Sequence, residues 1–122
     1  MKKESQKDAR KDVLSLVLMH RWYDLIASDE KKEEYRELSP YWIRRLVEPV
    51  DGSWKDGVPS PSRLLKGLQE GHYRFRTFRC VRFFRGYTST WLMLSFLGIR
   101  IGTGRPEWGA TSGKLYFVIE LS

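Results

Sequence analysis

The sequence predicts an α+β fold, with short helices mostly early in the chain and a curved β-sheet or small barrel mostly late. Helical spacing and two N-cap signals occur before residue 72, and runs that are typical of strands dominate after it. Helices and strands that are segregated in this way are characteristic of α+β domains. With 122 residues, 41% of them hydrophobic, the chain is long enough for one domain with its own core.

The first half of the chain predicts one strand and two helices. The apolar run VLSLVLM at residues 13–19 predicts a buried strand, and HRWYDLIAS at residues 20–28 changes to helical spacing. Ser39 and Pro40 predict the N-cap and the first residue of a second helix. The predicted apolar face of that helix is Trp42, Ile43, Leu46 and Val47, and its predicted outward residues are Arg44, Arg45 and Glu48.

The rest of the chain predicts a loop, a third short helix and then strands. Residues 48–62 are rich in Gly, Pro, Asp and Ser and predict a surface loop, and Ser60 with the following proline predicts a helix that ends near Gly71. Residues 72–87 predict either one long strand with a bulge or two strands. WLMLSFLGIRI predicts a strand that bends at Gly98, and KLYFVIELS predicts the closing strand.

Composition limits the classes of function. The net charge of +7, from 22 Lys and Arg against 15 Asp and Glu, favours an anionic partner, nucleic acid before a membrane surface. A single cysteine, Cys80, excludes an intramolecular disulfide, and two isolated histidines argue against a metal site, so no metal or cofactor is expected. Residues 1–12 predict a flexible polar arm ahead of a domain at residues 13–122. This arm lacks the apolar core of a signal peptide, and the apolar runs are too short to span a membrane, so a cytoplasmic protein is expected.

The segment SDEKKEEYREL, residues 28–38, has eight charged residues among eleven. As a helix it would place like charges four residues apart in four pairs, which is destabilising. A turn followed by a strand fits better, because Glu34 and Arg36 then point to the same side, with Lys31 in the turn before them. A carboxylate between two cations, one of them a guanidinium that suits phosphate, predicts an anion or nucleobase site. A structural ion-pair cluster at a strand edge is the alternative.

The order of these motifs resembles the ASCH domains, which are relatives of the PUA fold. The family signature is a strand, a helix of the form W-x-x-x-I and then Gly-x-Lys-x-x-Glu-x-Arg. Lys31, Glu34 and Arg36 match this signature, and Asp29 stands at the position of its glycine. The longer string EEYRELSPYWIRRL, followed by FRGY, RPEWGA and YFVIEL, resembles a small bacterial and phage-associated branch. The resemblance covers residues 13–121.

This resemblance implies a PUA-like β-barrel of about five or six strands, flanked by two or three short helices. It also implies a cleft beside the motif that binds RNA or a nucleotide-like ligand, with Lys31, Glu34 and Arg36 as the recognition core. If the turn requires a positive φ at the family's glycine, Asp29 tolerates this conformation better than most residues. The charge of Asp29 is expected to lie close to Lys31 and to weaken phosphate binding there.

Four further residues are candidates for contact with RNA. Residues 72–85 combine five arginines with aromatic residues and contain no acid, which suits a strand that follows phosphates but also an ordinary amphipathic strand. Arg82 and Arg85 are favoured because the resemblance places FRGY close to the cleft. Tyr87 and Trp108 lie in glycine-containing loops and are expected either to stack on a base or to plug the barrel end.

Two other functions are alternatives to binding RNA. Some ASCH proteins hydrolyse RNA or acylated cytidines, and Lys31 would then act as base or electrophile and Glu34 as general acid or base. Neighbouring carboxylates would oppose the lowered Lys31 pKa that this requires, and Glu34 stands where the deacylating branch has its threonine nucleophile. His20 is a further candidate base. A regulatory protein that binds an acidic protein surface also fits the net charge.

Overall fold

A computed structural model describes residues 12–122, so the arm predicted at residues 1–12 lies outside the described part of the chain except for Asp12. Within that part there are three α-helices and seven β-strands. The helices are α1 (His20–Ala27), α2 (Pro40–Leu46) and α3 (Pro61–Gln69). The strands are β1 (Val13–Leu18), β2 (Glu33–Arg36), β3 (Val47–Pro49), β4 (Tyr73–Phe75), β5 (Cys80–Arg85), β6 (Trp91–Thr103) and β7 (Leu115–Leu121). A single 3₁₀ turn spans Pro106–Trp108.

Five of these strands form a curled sheet, here called the main sheet, in the order β1-β5-β6-β7-β2. β1 runs parallel to β5, and the other neighbours are antiparallel. β3 and β4 form a separate antiparallel ribbon. The main sheet makes half of a small barrel with short helices beside it, and the predicted α+β fold is confirmed.

The long strand β6 allows the main sheet to curl. Its first half pairs with β5 and its second half with β7, and the register shifts between Phe96 and Gly98. Gly98 has a φ of 154°, in the region that favours glycine, so the predicted bend at this residue is confirmed. The arginine-rich residues 72–87 form the two strands β4 and β5, which was one of the two predicted alternatives.

The core lies between the main sheet and the three helices. It contains alternate residues of β1, β5 and β7 together with one apolar side of each helix. Its most buried members include Leu14, Leu16, Ile26, Ile43, Leu46, Leu64, Val81, Phe83, Phe117 and Ile119. Ser39 and Ser60 cap α2 and α3, each followed by proline, as predicted.

Two arginines cross the gap between α2, β2 and the outer edge of β1. Arg36 on β2 donates from Nη2 to the carbonyl oxygen of Val17 at 3.1 Å. Arg45 on α2 donates from Nη2 to the carbonyl oxygen of Ser15 at 3.3 Å. In the described part of the chain, side chains rather than a further strand therefore satisfy these two carbonyls, and this edge of the main sheet stays open.

The charged residues 28–38 form a turn followed by a strand, as predicted. After α1 ends at Ala27, the N–H groups of Asp29 and Glu30 donate back to carbonyl oxygens of the helix at 3.0 and 2.9 Å. Asp29 has a φ of 69°, the left-handed conformation that aspartate tolerates better than most residues. Its carboxylate pairs with Lys32 at the surface, whereas Lys31 pairs with Glu34, so the Asp29 charge, expected close to Lys31, pairs with the neighbouring lysine instead.

The stability of this turn is expected to depend on the residue at position 29. Asp29→Val is expected to lower the free energy of unfolding by about 1–2 kcal/mol, because a β-branched residue is strained at positive φ. Asp29→Gly is expected to raise it by up to about 1 kcal/mol. Urea denaturation measures both changes, with the exposed Glu30→Val as a control that is expected to stay within about 0.5 kcal/mol. Equal stabilities of the two Asp29 variants would contradict the strained turn.

Candidate functional site

Lys31 is the centre of the predicted site, and its side chain is completely buried, with 0% exposure. Its amino group lies 3.1 Å from Oε1 of Glu34 and donates to the carbonyl oxygens of Trp108, at 3.0 Å, and of Glu33. The ring centre of Tyr35 lies 4.8 Å from the same nitrogen. An ammonium has three N–H donors, so the oxygens of the described residues already occupy all three.

Glu34 connects Lys31 to Arg36. Its side chain is 8% exposed, with Oε1 facing Lys31 and Oε2 accepting a hydrogen bond from Nη2 of Arg36 at 2.7 Å. Charge-assisted hydrogen bonds of this kind are the strong ones in proteins. The three predicted residues therefore form one chain, referred to below as the Lys–Glu–Arg chain, which leads from the interior towards the surface.

Burial lowers the pKa of Lys31 below its ordinary value of 10.5, because lost hydration of the ammonium outweighs the attraction of Glu34. Protonated Lys31 therefore costs folding free energy at pH values below its lowered pKa. This cost disappears as the pH rises through the lowered pKa towards 10.5. The neighbouring carboxylates of Glu34 and Glu33 oppose this lowering of the pKa, as expected, but burial is the larger effect.

Arg36 is the member of the Lys–Glu–Arg chain that lines a cleft. Its side chain is 18% exposed, and its guanidinium carbon lies 4.9 Å from the ring centre of Trp42. The guanidinium carbon of Arg45 lies 5.2 Å from the same ring. The cleft beside these groups has a volume of about 440 Å³, which is in the range of small-molecule sites.

The cleft lies between the open edge of β1 and the start of α2. Its lining comes from β1 and the residue after it, from β2, α2 and the turn after β5, and consists of Ser15, Leu16, Val17, Leu18, Met19, Arg36, Tyr41, Trp42, Arg45, Gly86 and Tyr87. Two of these residues are arginines, and none of the lining residues that the structure describes is acidic. The cleft is therefore lined by cationic and aromatic side chains.

Two exposed tyrosines stand at the rim of the cleft. Tyr87, for which the sequence left base stacking and plugging of the barrel end as alternatives, is 98% exposed and lines the cleft. Tyr41 packs edge-on against Trp42, with ring centres 4.9 Å apart, and its hydroxyl accepts a hydrogen bond from Arg45 at 3.3 Å. Both rings offer aromatic surface to an occupant of the cleft.

The other three predicted contact residues lie outside this cleft. Arg85 makes a two-pronged ion pair with Asp24 at 3.0 and 3.1 Å, and this hydrogen bonding lowers the pKa of the carboxyl group. Arg82 lies on the face of the main sheet that points away from the core, with its guanidinium carbon 5.0 Å from the ring centre of Trp91. Trp108 is half-buried, and its backbone carbonyl serves Lys31.

Sequence reasoning missed Tyr41, Trp42 and Arg45 as site residues. The helical pattern assigns Trp42 to the apolar face and Arg45 to the outward side, but the carbonyl of Ser15 draws Arg45 inward across the gap. A signal was present, because Arg45 follows Tyr41 by four residues and Trp42 by three, which places all three on one side of a helix. The helical pattern does not show that β1 lies next to this side of α2.

The described residues also bear on two other features, a metal site and a membrane-spanning helix. Between Asp12 and Ser122, no group of three or more His, Cys, Asp or Glu residues is placed to hold a metal ion. In the same range, no helix has the length and apolar character needed to cross a membrane.

Fold and cleft together define a small α+β half-barrel protein with an arginine- and aromatic-lined cleft at an open sheet edge. Comparisons with family models, with curated proteins and with solved structures find no match to this chain. The resemblance to the ASCH domains therefore stays a prediction that rests on the motifs.

Proposed function

We propose that this protein is an ASCH-like, PUA-related module that binds single-stranded RNA or a nucleotide in the cleft of Arg36 and Arg45. The observation that carries the proposal is the placement of two guanidinium groups around one tryptophan in a lining without acidic residues among those described. Arginine combines a fixed fork of donors with a flat surface, so it recognises phosphate and base edges. The cytoplasmic location that the sequence predicts is part of this proposal.

The phosphate would be held by the two arginines. Within the described part of the chain, the hydrogen bonds of Arg36 to protein are all made by Nη2, to Val17 and Glu34, so Nη1 remains for a ligand oxygen. The bonds of Arg45 to Ser15 and Tyr41 are both long, at 3.3 Å. A phosphate would replace or add to such weak bonds with shorter, charge-assisted ones.

Lys31 and Glu34 act in this proposal by positioning Arg36. Their side chains are 0% and 8% exposed, and they contact protein groups rather than the cleft. Glu34 fixes the direction of the Arg36 guanidinium, and Lys31 fixes Glu34 in turn. In this division of roles, Lys31 and Glu34 support Arg36, which is the member of the three that lines the cleft.

The base would stack on the rim. Stacking on aromatic side chains is the usual way in which proteins hold unpaired bases, and it contributes about 1–3 kcal/mol per base. Tyr87 and Tyr41 are 98% and 61% exposed, so their rings are available without rearrangement of the core. This arrangement favours a single strand over a duplex, whose bases are already stacked.

Salt dependence tests the proposal, with Arg45→Ala as the variant. Binding of a labelled oligouridylate, followed by fluorescence anisotropy, is expected to weaken with salt and to weaken about tenfold in Arg45→Ala. The slope of log K against log salt is expected to decrease by about 0.7, the value for one phosphate of a single strand. The matched control is Arg44→Ala, the exposed neighbour, which is expected to keep the wild-type slope. Salt-independent binding, or equal losses in both variants, would overturn the cleft as the phosphate site.

The two alternatives have less support in the geometry. Hydrolysis by Lys31 and Glu34 would require these side chains to reach a substrate, and both face protein partners. The imidazole of His20 lies beside Gly86, which lines the cleft, so His20 is better placed to reach a substrate than Lys31 or Glu34. Binding of an acidic protein surface stays a prediction from net charge.

A further inference from the structure

The face of the main sheet that points away from the core carries an exposed apolar surface. Along β1 and β5, alternate residues are buried in the core, and along the first half of β6 half-buried residues alternate with exposed ones, so the residues between them point outward. This surface, called the outer face below, consists of Val17, Arg82, Phe84, Trp91, Met93 and Leu97. Trp91 is 50% exposed and Leu97 is 64% exposed. Contiguous exposed apolar surfaces of this kind mark interaction sites.

The outer face is continuous with the cleft. Strand register places Val17 beside Phe84 and Phe84 beside Trp91, so these three form one row across β1, β5 and β6. Val17 also lines the cleft. Because neighbouring strands lie about 4.8 Å apart, Trp91 is roughly 10 Å from the cleft edge, so a bound strand needs about two nucleotides beyond the one in the cleft to reach it.

Charge on the outer face comes from Arg82. Its guanidinium lies 5.0 Å from the ring centre of Trp91, and it makes no ion pair with any residue in the described part of the chain. Its Nε is buried and has no hydrogen-bond partner among the same residues. The outer face thus presents an arginine on a tryptophan, next to a second aromatic ring, and its residues include no acid.

We propose that single-stranded nucleic acid bound in the cleft continues over the outer face, where Phe84 and Trp91 stack bases and Arg82 contacts a phosphate. This inference rests on the proposed function and extends it to a second contact surface. Positive charge, aromatic rings and continuity with a cationic cleft favour nucleic acid as the occupant. A second copy of this chain would bring two Arg82 side chains and two molecules of net charge +7 together, which is repulsive.

Oligonucleotide length separates the two surfaces. Anisotropy titrations would use labelled oligouridylates of about two and about ten nucleotides, which by the spacing of the strands reach the cleft alone or both surfaces. Trp91→Leu removes stacking but keeps an apolar side chain, and Arg82→Gln removes the charge. The matched control is Arg63→Gln, an exposed arginine on α3. Circular dichroism checks the fold, and Trp91→Phe preserves an aromatic ring if Trp91→Leu unfolds.

The expected result is a length-dependent effect. Trp91→Leu and Arg82→Gln are each expected to weaken binding of the ten-nucleotide probe by about 5- to 100-fold and to leave binding of the two-nucleotide probe unchanged. Trp91→Phe is expected to retain most of the affinity. If the outer-face variants bind the long probe as tightly as the wild type does, while Arg36→Ala does not bind it, the outer face is not a contact surface. The cleft then remains the binding site. If Trp91→Leu changes sedimentation but not RNA affinity, the outer face is a protein interface and the inference is overturned.

Discussion

Lys31→Met is expected to lower the free energy of unfolding by about 3–5 kcal/mol, the usual cost of removing one partner from a buried ion pair. The change leaves Oε1 of Glu34 and the carbonyl of Trp108 without their common donor in an interior that excludes water. Methionine fills most of the lysine volume, so the loss would report the charge and hydrogen bonds rather than a cavity. Urea denaturation followed by tryptophan fluorescence measures the change.

The adjacent lysine is the matched control for this variant. Lys32 is 45% exposed and pairs with an exposed Asp29, so Lys32→Met is expected to change stability by less than about 1 kcal/mol. Combining Lys31→Met with Glu34→Gln is expected to recover part of the loss, because the amide no longer requires a cation beside it. A Lys31→Met variant that is as stable as the wild type but fails to bind RNA would contradict the structural role of Lys31 and place it at the ligand.

Arg36→Ala is expected to lower affinity for a short oligouridylate by about 10- to 100-fold, the range for a hydrogen bond to a charged group. Arg36→Lys is expected to restore little of this affinity, because an ammonium lacks the flat fork that lies on Trp42 and faces Glu34. Anisotropy titration at fixed salt measures both variants. The control is Arg44→Ala, which removes the same charge from the exposed side of α2.

Stability must be measured beside affinity for the Arg36 variants. Arg36→Ala removes hydrogen bonds to Glu34 and Val17, and we expect the free energy of unfolding to fall by about 1–3 kcal/mol. Arg36→Lys keeps a cation near Glu34, so it is expected to be the more stable of the two. If Arg36→Ala binds as well as Arg44→Ala does at a temperature where both are folded, Arg36 is not a ligand contact.

Local signals predicted most elements of the fold. Serine–proline pairs begin α2 and α3, like-charged pairs exclude a helix at residues 28–38, and a glycine marks the bend of β6. These features depend on neighbours in sequence, so the sequence alone contains them. The pairing of β1 with β5 is parallel and joins residues about 67 positions apart, as in Val13 with Cys80, and no local signal specifies it.

The sequence predicted residues that the structure brings together at the candidate site, but not how deeply each side chain is buried. Spacing placed Glu34 and Arg36 on one side of β2, and the structure joins them to Lys31 in one chain. Whether an ammonium faces solvent or a carbonyl depends on what packs over it, and here the 3₁₀ turn from a distant segment supplies the carbonyl of Trp108. For the same reason the role of Arg45 could not be predicted, because its hydrogen-bond partner on β1 lies 30 residues away in the sequence.

A crystal structure of the protein soaked with uridine 5′-monophosphate tests the cleft most directly. We expect phosphate oxygens within hydrogen-bond distance of Arg36 or Arg45, a uracil ring against Tyr41 or Tyr87, and Lys31 still covered by its protein partners. Nucleotide bound directly to the amino group of Lys31, or bound elsewhere with the cleft empty, would contradict the assignment of this cleft as the binding site.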